Sequence, residues 1–303
     1  QRRKKVIRLF HASFFLFSHL SGRRFGTMEI FQNDILINTI QPYLVLKTDA
    51  FCQHLMSTYG ISHFYGCRCS DNGAASFTFV PDGCSNILFA YGQSEMTAEV
   101  IGPTIAQKVF PLNRHTDYFG VRFLPGENPC FASLSVKELI NNNAPLGNFI
   151  KMRQLNSRMN DERTFDGRMR AFLSEYQNVF ESRKKNQHEL FRQLCRVIND
   201  RKGMLTISEL EKLSGYSARY INYVFESEAG MSAKQFCRIL KLQSVISVIN
   251  SGKVSSMSKI AADYHFYDQS HFIHDFVNFA GKTPKEYQDE VTQKEYRKCV
   301  TNV

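Results

Sequence analysis

Two short segments constrain this 303-residue chain more than any other feature: GYSARYINYVF, Gly215 to Phe225, and its echo YDQSHFIHDF, Tyr267 to Phe276. Each reads as a short helix entered through a polar cap, Ser217 in one and Asp268 in the other. Each closes on an aromatic, Phe225 and Phe276, and the two caps stand 51 residues apart. Two like-built helices at that separation, in one basic stretch, suit two successive major grooves of DNA and point away from an enzyme.

The flanking residues predict a frame for both helices. Thr206-Ile-Ser-Glu209 is a capping box, and Gly215 supplies a turn. The helix capped by Ser217 runs to about Glu228 and stops at Gly230. Ser232-Ala-Lys-Gln235 opens a longer helix, Ala233 to about Asn250. Helix and turn then repeat over Met257–Tyr264 and Gln269–Ala280, ended by Gly281, and Thr283-Pro284 starts a last helix. In the first copy Ile221, Val224 and Phe225 form the inner face, leaving Arg219, Asn222 and Tyr223 together outside. Arg forks onto guanine, Asn onto adenine, and Tyr touches a thymine methyl or a phosphate. In the second copy Phe272, Phe276 and Phe279 face inward, and Ser270, His271 and His274 outward. On either copy alone, an ordinary solvated face fits as well. The joining helix, at 1.5 Å per residue, spans roughly 24–27 Å and would hold the two near the ~34 Å repeat of the duplex.

The distribution of charge agrees. Residues 28–182 hold 12 basic and 15 acidic side chains, while residues 183–303 hold 19 and 13, a net of +6. DNA contact is therefore expected from the C-terminal third alone. Residues 1–27 carry seven basic side chains and no acid. Their apolar run, Val6 to Leu20, is broken by Arg8, His11 and His19 and is shorter than the roughly 20 residues of a spanning helix. A signal peptide, a short anchor and a non-native extension are all open, and the preferred reading starts the protein at Met28.

Upstream of the helical region, FTFV (Phe77–Val80), NILFAY (Asn86–Tyr91) and YFGVRF (Tyr118–Phe123) read as short strands bounded by Pro-Gly turns, which predicts an antiparallel sandwich or barrel. Arg122 shares a strand face with Tyr118 and Gly120. There it either holds an anionic ligand or pairs with an acid such as Asp82. Phe77, Phe79, Phe89 and Tyr91 are expected in the core. Residues 149–182 read as one or two charged amphipathic helices, serving as connector and dimer surface or packing on their own domain. The eight cysteines include no CxxC pair and fit no zinc template, so reduced structural thiols are expected, with a sensor role for the Cys52–Cys84 cluster as the alternative. His54, His63 and His115 are too widely spaced for a metal-dependent oxygenase barrel, and no phosphate loop or nucleophile elbow appears. No catalytic residue, metal or cofactor is expected.

SGYSARYINYVF, DQSHFIHDF and GKTPKEY, between about Leu205 and Tyr287, resemble the DNA-binding domain of the AraC/XylS family of bacterial transcription regulators. The resemblance implies a seven-helix domain with two helix-turn-helix units, Arg219, Asn222 and Tyr223 facing one groove and Ser270, His271 and His274 the next. FVPDGCSNILF and FGVRFLPG, Phe79 to Gly126, are similar to an N-terminal sensor domain of some members. The chain departs from the family at Glu211, where a small residue is usual, at His265, where a glycine is usual, and at His274 and Asp275. The second reading helix thus has no Lys or Arg between Asp268 and Gly281, and it is expected to add little affinity at neutral pH.

The fold class expected is α+β: a β-rich sensor-like domain over residues 28–148, a helical connector or dimerisation segment over 149–185, and an all-α DNA-binding domain over 186–303, with 1–27 a non-native or disordered extension. The function expected is sequence-specific regulation of transcription by a cytoplasmic, nucleoid-associated homodimer. Its partners would be double-stranded DNA, RNA polymerase and a small effector or protein acting on the N-terminal domain, with no membrane. The alternative is a ligand-independent regulator whose N-terminal domain only dimerises or binds a partner.

Overall fold

Local capping chemistry sets the helix ends of the C-terminal half. In the computed structural model, which describes residues 39–303 apart from 57, 70–75, 93–94, 128–135, 149–152, 185–187 and 255, the expected caps form. The Thr206, Ser232 and Thr283 hydroxyls each accept the N–H three residues on, and Glu209, Gln235 and Glu286 reach back. Gly215, Gly230 and Gly281 end their helices at φ +71°, +71° and +78°, a backbone that favours glycine.

The N-terminal half begins with α1 (Pro42–Lys47), β1 (Ala50–Leu55), β2 (Ile61–Cys69), β3 (Ser76–Phe79), β4 (Asn86–Tyr91), β5 (Thr97–Ile101), β6 (Lys108–Pro111) and β7 (Thr116–Phe123). Then come α2 (Val136–Leu139), β8 (Asn143–Pro145), α3 (Arg153–Asp161) and α4 (Phe165–Lys184). The helical half follows as α5 (Glu189–Asp200), α6 (Ile207–Ser214), α7 (Ala218–Ala229), α8 (Ala233–Asn250), α9 (Met257–Asp263), α10 (Gln269–Ala280), α11 (Pro284–Gln293) and α12 (Tyr296–Cys299). A terminal strand, β9 (Val300–Asn302), ends the chain.

The main sheet has the order β8-β5-β4-β7-β2-β1-β9, and β3 pairs with β6 in a second, two-stranded sheet. All pairings are antiparallel except β1 with β9, which is parallel. The last residues of the chain therefore lie on the outer edge of the N-terminal sheet, with Val303 N donating to Gln53 O at 3.0 Å.

Strand alternation sorts the apolar side chains onto two faces. Phe64, Ile87, Phe89, Phe119, Val121 and Phe123 lie on one face under α3 and α4, against Leu155, Met159, Phe172 and Tyr176. The apolar stripe of these helices is thus buried on their own sheet, where the sequence had left a dimer surface open. Tyr65, Cys67, Leu88 and Tyr118 face the other way, toward Phe77, Phe79 and Phe110 of the small sheet. That cluster continues without a break into the core of the helical half, through Ile221, Phe225, Phe236, Phe272, Phe276 and Tyr287. Gly120 is required on this face, because a Cβ there would meet the Tyr65 ring at 2.0 Å. The expected sandwich or barrel is instead one large sheet, covered by helices on one face and by the small sheet and the helical half on the other.

Residues 1–27 and Cys130 lie outside the described residues. No helix among the described residues is long and apolar enough to cross a membrane. The described cysteines are free, and burial pushes Cys69 up to about 11 and Cys84 and Cys237 up to about 12. Thiols held so far from ionisation suit a structural role.

Candidate nucleic-acid interface

The first helix-turn-helix unit is α6 and α7. Ile221, Val224 and Phe225 are buried, and the Phe225 ring meets Phe191 of α5 and Phe236 of α8 edge-on at 5.0 and 5.4 Å. Glu211 has a local reason to stand where it does: its carboxylate accepts the N–H of Ala218 at 2.6 Å, satisfying a free donor at the start of α7. Arg219 is exposed, and Tyr223 is 67% exposed. Asn222 is half-buried, and its Oδ1 accepts the Ala233 N–H at 3.1 Å, capping α8. Its carbonyl oxygen is therefore engaged within the fold, while Arg219 and Tyr223 stay on the open surface.

The second unit is α9 and α10. His265 sits in the turn at φ +52°, a strained backbone for a residue with a Cβ, as its departure from the usual glycine implied. Asp268 Oδ1 accepts the His271 N–H at 2.7 Å, and Phe272, Phe276 and Phe279 are buried. Ser270, His271 and His274 are exposed together. The two acids of this segment are both occupied. Asp268 caps the helix, and Asp275 is paired with Arg238 of α8 at 3.0 Å. Lys241, also on α8, stands 3.9 Å from the centre of the Phe266 ring, and burial pulls its pKa below the ordinary value. The cations beside the second reading helix thus come from the joining helix. Reading α10 alone missed them, because the partners lie 37 residues apart.

The N-terminal half touches both units. Lys137 of α2 pairs with Glu226 of α7 at 3.8 Å. Gln107 donates to Val277 O and Asn278 O at 3.1 and 3.0 Å, and Tyr43 donates to Ala280 O at 2.8 Å, so carbonyls of the last turn of α10 accept hydrogen bonds from the N-terminal half. Gln243 of α8 donates to Pro81 O at 2.8 Å and accepts from Ile40 N at 3.1 Å.

Arg122 lies just behind that contact. It is 2% exposed and its guanidinium is bonded to Asp82, itself fully buried. This is the acid that the sequence offered as the alternative to a ligand. Asn86 Oδ1 and Thr39 Oγ1 accept further Arg122 N–H groups at 3.4 and 3.3 Å, and the Gln41 amide donates to the same Asp82 oxygen, Oδ2, that Arg122 uses. Burial works against the Arg122 charge, and Asp82 more than restores it. His63 is driven down to about 3 by burial and by Arg122, so it is neutral. Gln41, His63, Tyr65 and Arg122 border a cavity of about 20 Å³, the size of one water molecule. Phe77, Phe79 and Phe89 are core, as expected, and Tyr91 is half-buried with its hydroxyl on Met159 O and Arg168 over its ring. Among the described residues, no group of three or more His, Cys, Asp or Glu side chains is placed to hold a metal.

Comparison with known proteins finds a family match in each half of the chain. Residues 210–290 match a family described as "Helix-turn-helix domain", and residues 58–145 match "Domain of unknown function (DUF6597)". No curated protein sequence matches the chain. Among solved structures, a probable AraC family transcriptional regulator from Rhodopseudomonas palustris is 26% identical, over 34% of this chain and 96% of that one, with a TM-score of 0.31. ToxT from Vibrio cholerae is 12% identical, over 80% and 99%, at a TM-score of 0.42. An unsaturated fatty acid bound form of ToxT is 13% identical, over 82% and 98%, at 0.39. A match to a helix-turn-helix family thus falls on α6 to α11, and a match to DUF6597 falls on the strand-rich half.

Proposed function

We propose that this protein is a sequence-specific DNA-binding regulator of bacterial transcription that reads two successive major grooves, one with α7 and one with α10. One observation carries the reading: two capped helices with buried aromatic inner faces and exposed polar outer faces flank a single 18-residue helix. Arg219 and Tyr223 read bases or touch the backbone in the first groove. Asn222, with its oxygen engaged, contributes its amide N–H groups there. Ser270, His271 and His274 face the second groove, next to the Arg238–Asp275 pair. The protein works in the cytoplasm on the nucleoid, as a homodimer, and engages RNA polymerase.

Control comes from the N-terminal domain, through a small effector or a protein partner that changes its grip on α7, α8 and α10. Arg122 is the residue proposed to answer an anionic effector, which would compete with Asp82. The ligand-independent alternative draws support from the aromatic filling of the space between the sheets by Phe77, Phe79 and Phe110. Selection of duplexes from a random library on the full-length protein tests the function. Recovery of a common sequence supports it, and failure to enrich any sequence overturns it. Titrating candidate carboxylates into the selected complex separates the two modes of control.

A further inference from the structure

Beside Arg219 the first unit carries a row of three rings, of which base reading by Arg219, Asn222 and Tyr223 uses only one. Tyr216, in the turn, and Tyr220 and Tyr223, on α7, form a continuous stack. The Tyr216 and Tyr220 rings lie 5.1 Å apart at 29°, and the Tyr220 and Tyr223 rings 6.3 Å apart at 25°. All three are open to solvent, at 39%, 37% and 67%. From the residues before α5, His188 fixes the middle ring: its Nε2 stands 3.2 Å from the Tyr220 hydroxyl, and the rings meet edge-on. Isolated exposed aromatics are common on any surface, but three stacked rings form a contiguous apolar plate, the kind of patch that marks a contact. Stacking also fixes the rings before any partner arrives, which removes part of the ordering cost of binding.

We infer that Tyr216, Tyr220 and Tyr223 act as one preorganised apolar plate that reads thymine C5-methyl groups along the wall of the first major groove, with His188 as a positioning residue. The inference rests on the DNA-binding reading above and names the chemistry by which that site chooses sequence. Two features select duplex DNA as the occupant. The plate is continuous along α7 with exposed Arg219, the group in that helix best suited to a guanine edge. In the major groove, the thymine methyl is the apolar group a base pair presents, and ring surface is its natural complement. Tyr216 and Tyr220, which spacing along α7 did not single out, thereby become specificity determinants, and Tyr223 acts through its ring.

The test uses the full-length protein and the duplex enriched from a random library, made once with thymidine and once with deoxyuridine, which lacks only the methyl. Fluorescence anisotropy should give weaker binding to the deoxyuridine duplex, by about fourfold for each methyl that the plate covers. Tyr220→Ala and Tyr216→Ala should weaken binding to the thymidine duplex and bring the two duplexes closer to equal affinity. Tyr220→Phe, which keeps the ring, should retain the discrimination. His188→Gln should reduce it in part, and circular dichroism should show each variant folded. Unchanged discrimination in Tyr216→Ala and Tyr220→Ala overturns the inference while leaving DNA binding intact. Equal affinity of the unaltered protein for both duplexes overturns it as well. Absence of binding to any duplex would overturn the function itself.

Discussion

The two helix-turn-helix units share a frame and differ in how their outward faces are made. In the first, the reading helix supplies its own groups: Arg219 and a stacked row of tyrosines, with Glu211 and Asn222 assigned to capping. In the second, α10 has no cation, its acids are occupied by a cap and by Arg238, and its turn holds His265 at φ +52°. Carbonyls of its last turn accept hydrogen bonds from Gln107 and Tyr43 of the N-terminal half. On the proposed reading, the first unit supplies affinity and sequence selection. The second depends on neighbouring elements for charge and position.

Core truncation should affect both units alike and most strongly. Phe225→Ala and Phe276→Ala each remove a fully buried ring and should cost about 3–5 kcal/mol in urea unfolding, with loss of DNA binding. A loss confined to one variant would mean that the two inner faces are not equivalent.

The outward faces should then separate the units. Arg219→Ala should cost about 1–3 kcal/mol on the selected duplex and relax preference at one base position. The double variant His271→Ala with His274→Ala should cost less than this by anisotropy at pH 8. A reversed order would assign primary reading to the second unit.

Charge offers a gain-of-function test. Asp275→Asn removes a carboxylate from α10 and frees Arg238, which is half exposed. Stability should fall by about 1 kcal/mol, the upper end for exposed ion pairs, because the Asp275 side chain is only 14% exposed. DNA affinity should rise, and its dependence on salt should steepen by about one phosphate contact, a slope change near −0.9. An unchanged slope would place Arg238 away from the backbone. The smallest effect on DNA binding is expected at the turn, where His265→Gly relieves a left-handed backbone and should stabilise the fold by about 1 kcal/mol in urea unfolding. Destabilisation instead would show that the imidazole makes contacts worth more than the strain.

What could be read from the sequence divides along physical lines. Thr206, Ser217, Ser232, Asp268 and Thr283 were legible as caps because a cap and the N–H it satisfies lie within three residues. Strand alternation around Arg122 was legible for the same reason, whereas Asp82, 40 residues away, stood only as one of two alternatives for what Arg122 holds. Gln243 on Pro81, Gln107 on α10, Arg238 on Asp275 and the β1–β9 pairing were not legible. Each joins residues dozens to hundreds of positions apart, and no local periodicity records such a contact. Asn222 shows the remaining limit: helical spacing placed it beside Arg219, but only the neighbouring start of α8 shows that its oxygen is taken.

The claim that two units read successive grooves is tested most directly by hydroxyl-radical footprinting of the full-length protein on its selected duplex. For each bound protomer the account predicts two protected stretches on one face of the duplex, centred about 10 base pairs apart. Asp275→Asn should strengthen only the second, and Arg219→Ala should weaken the first. A single protected stretch, or two on opposite faces of the duplex, would contradict it.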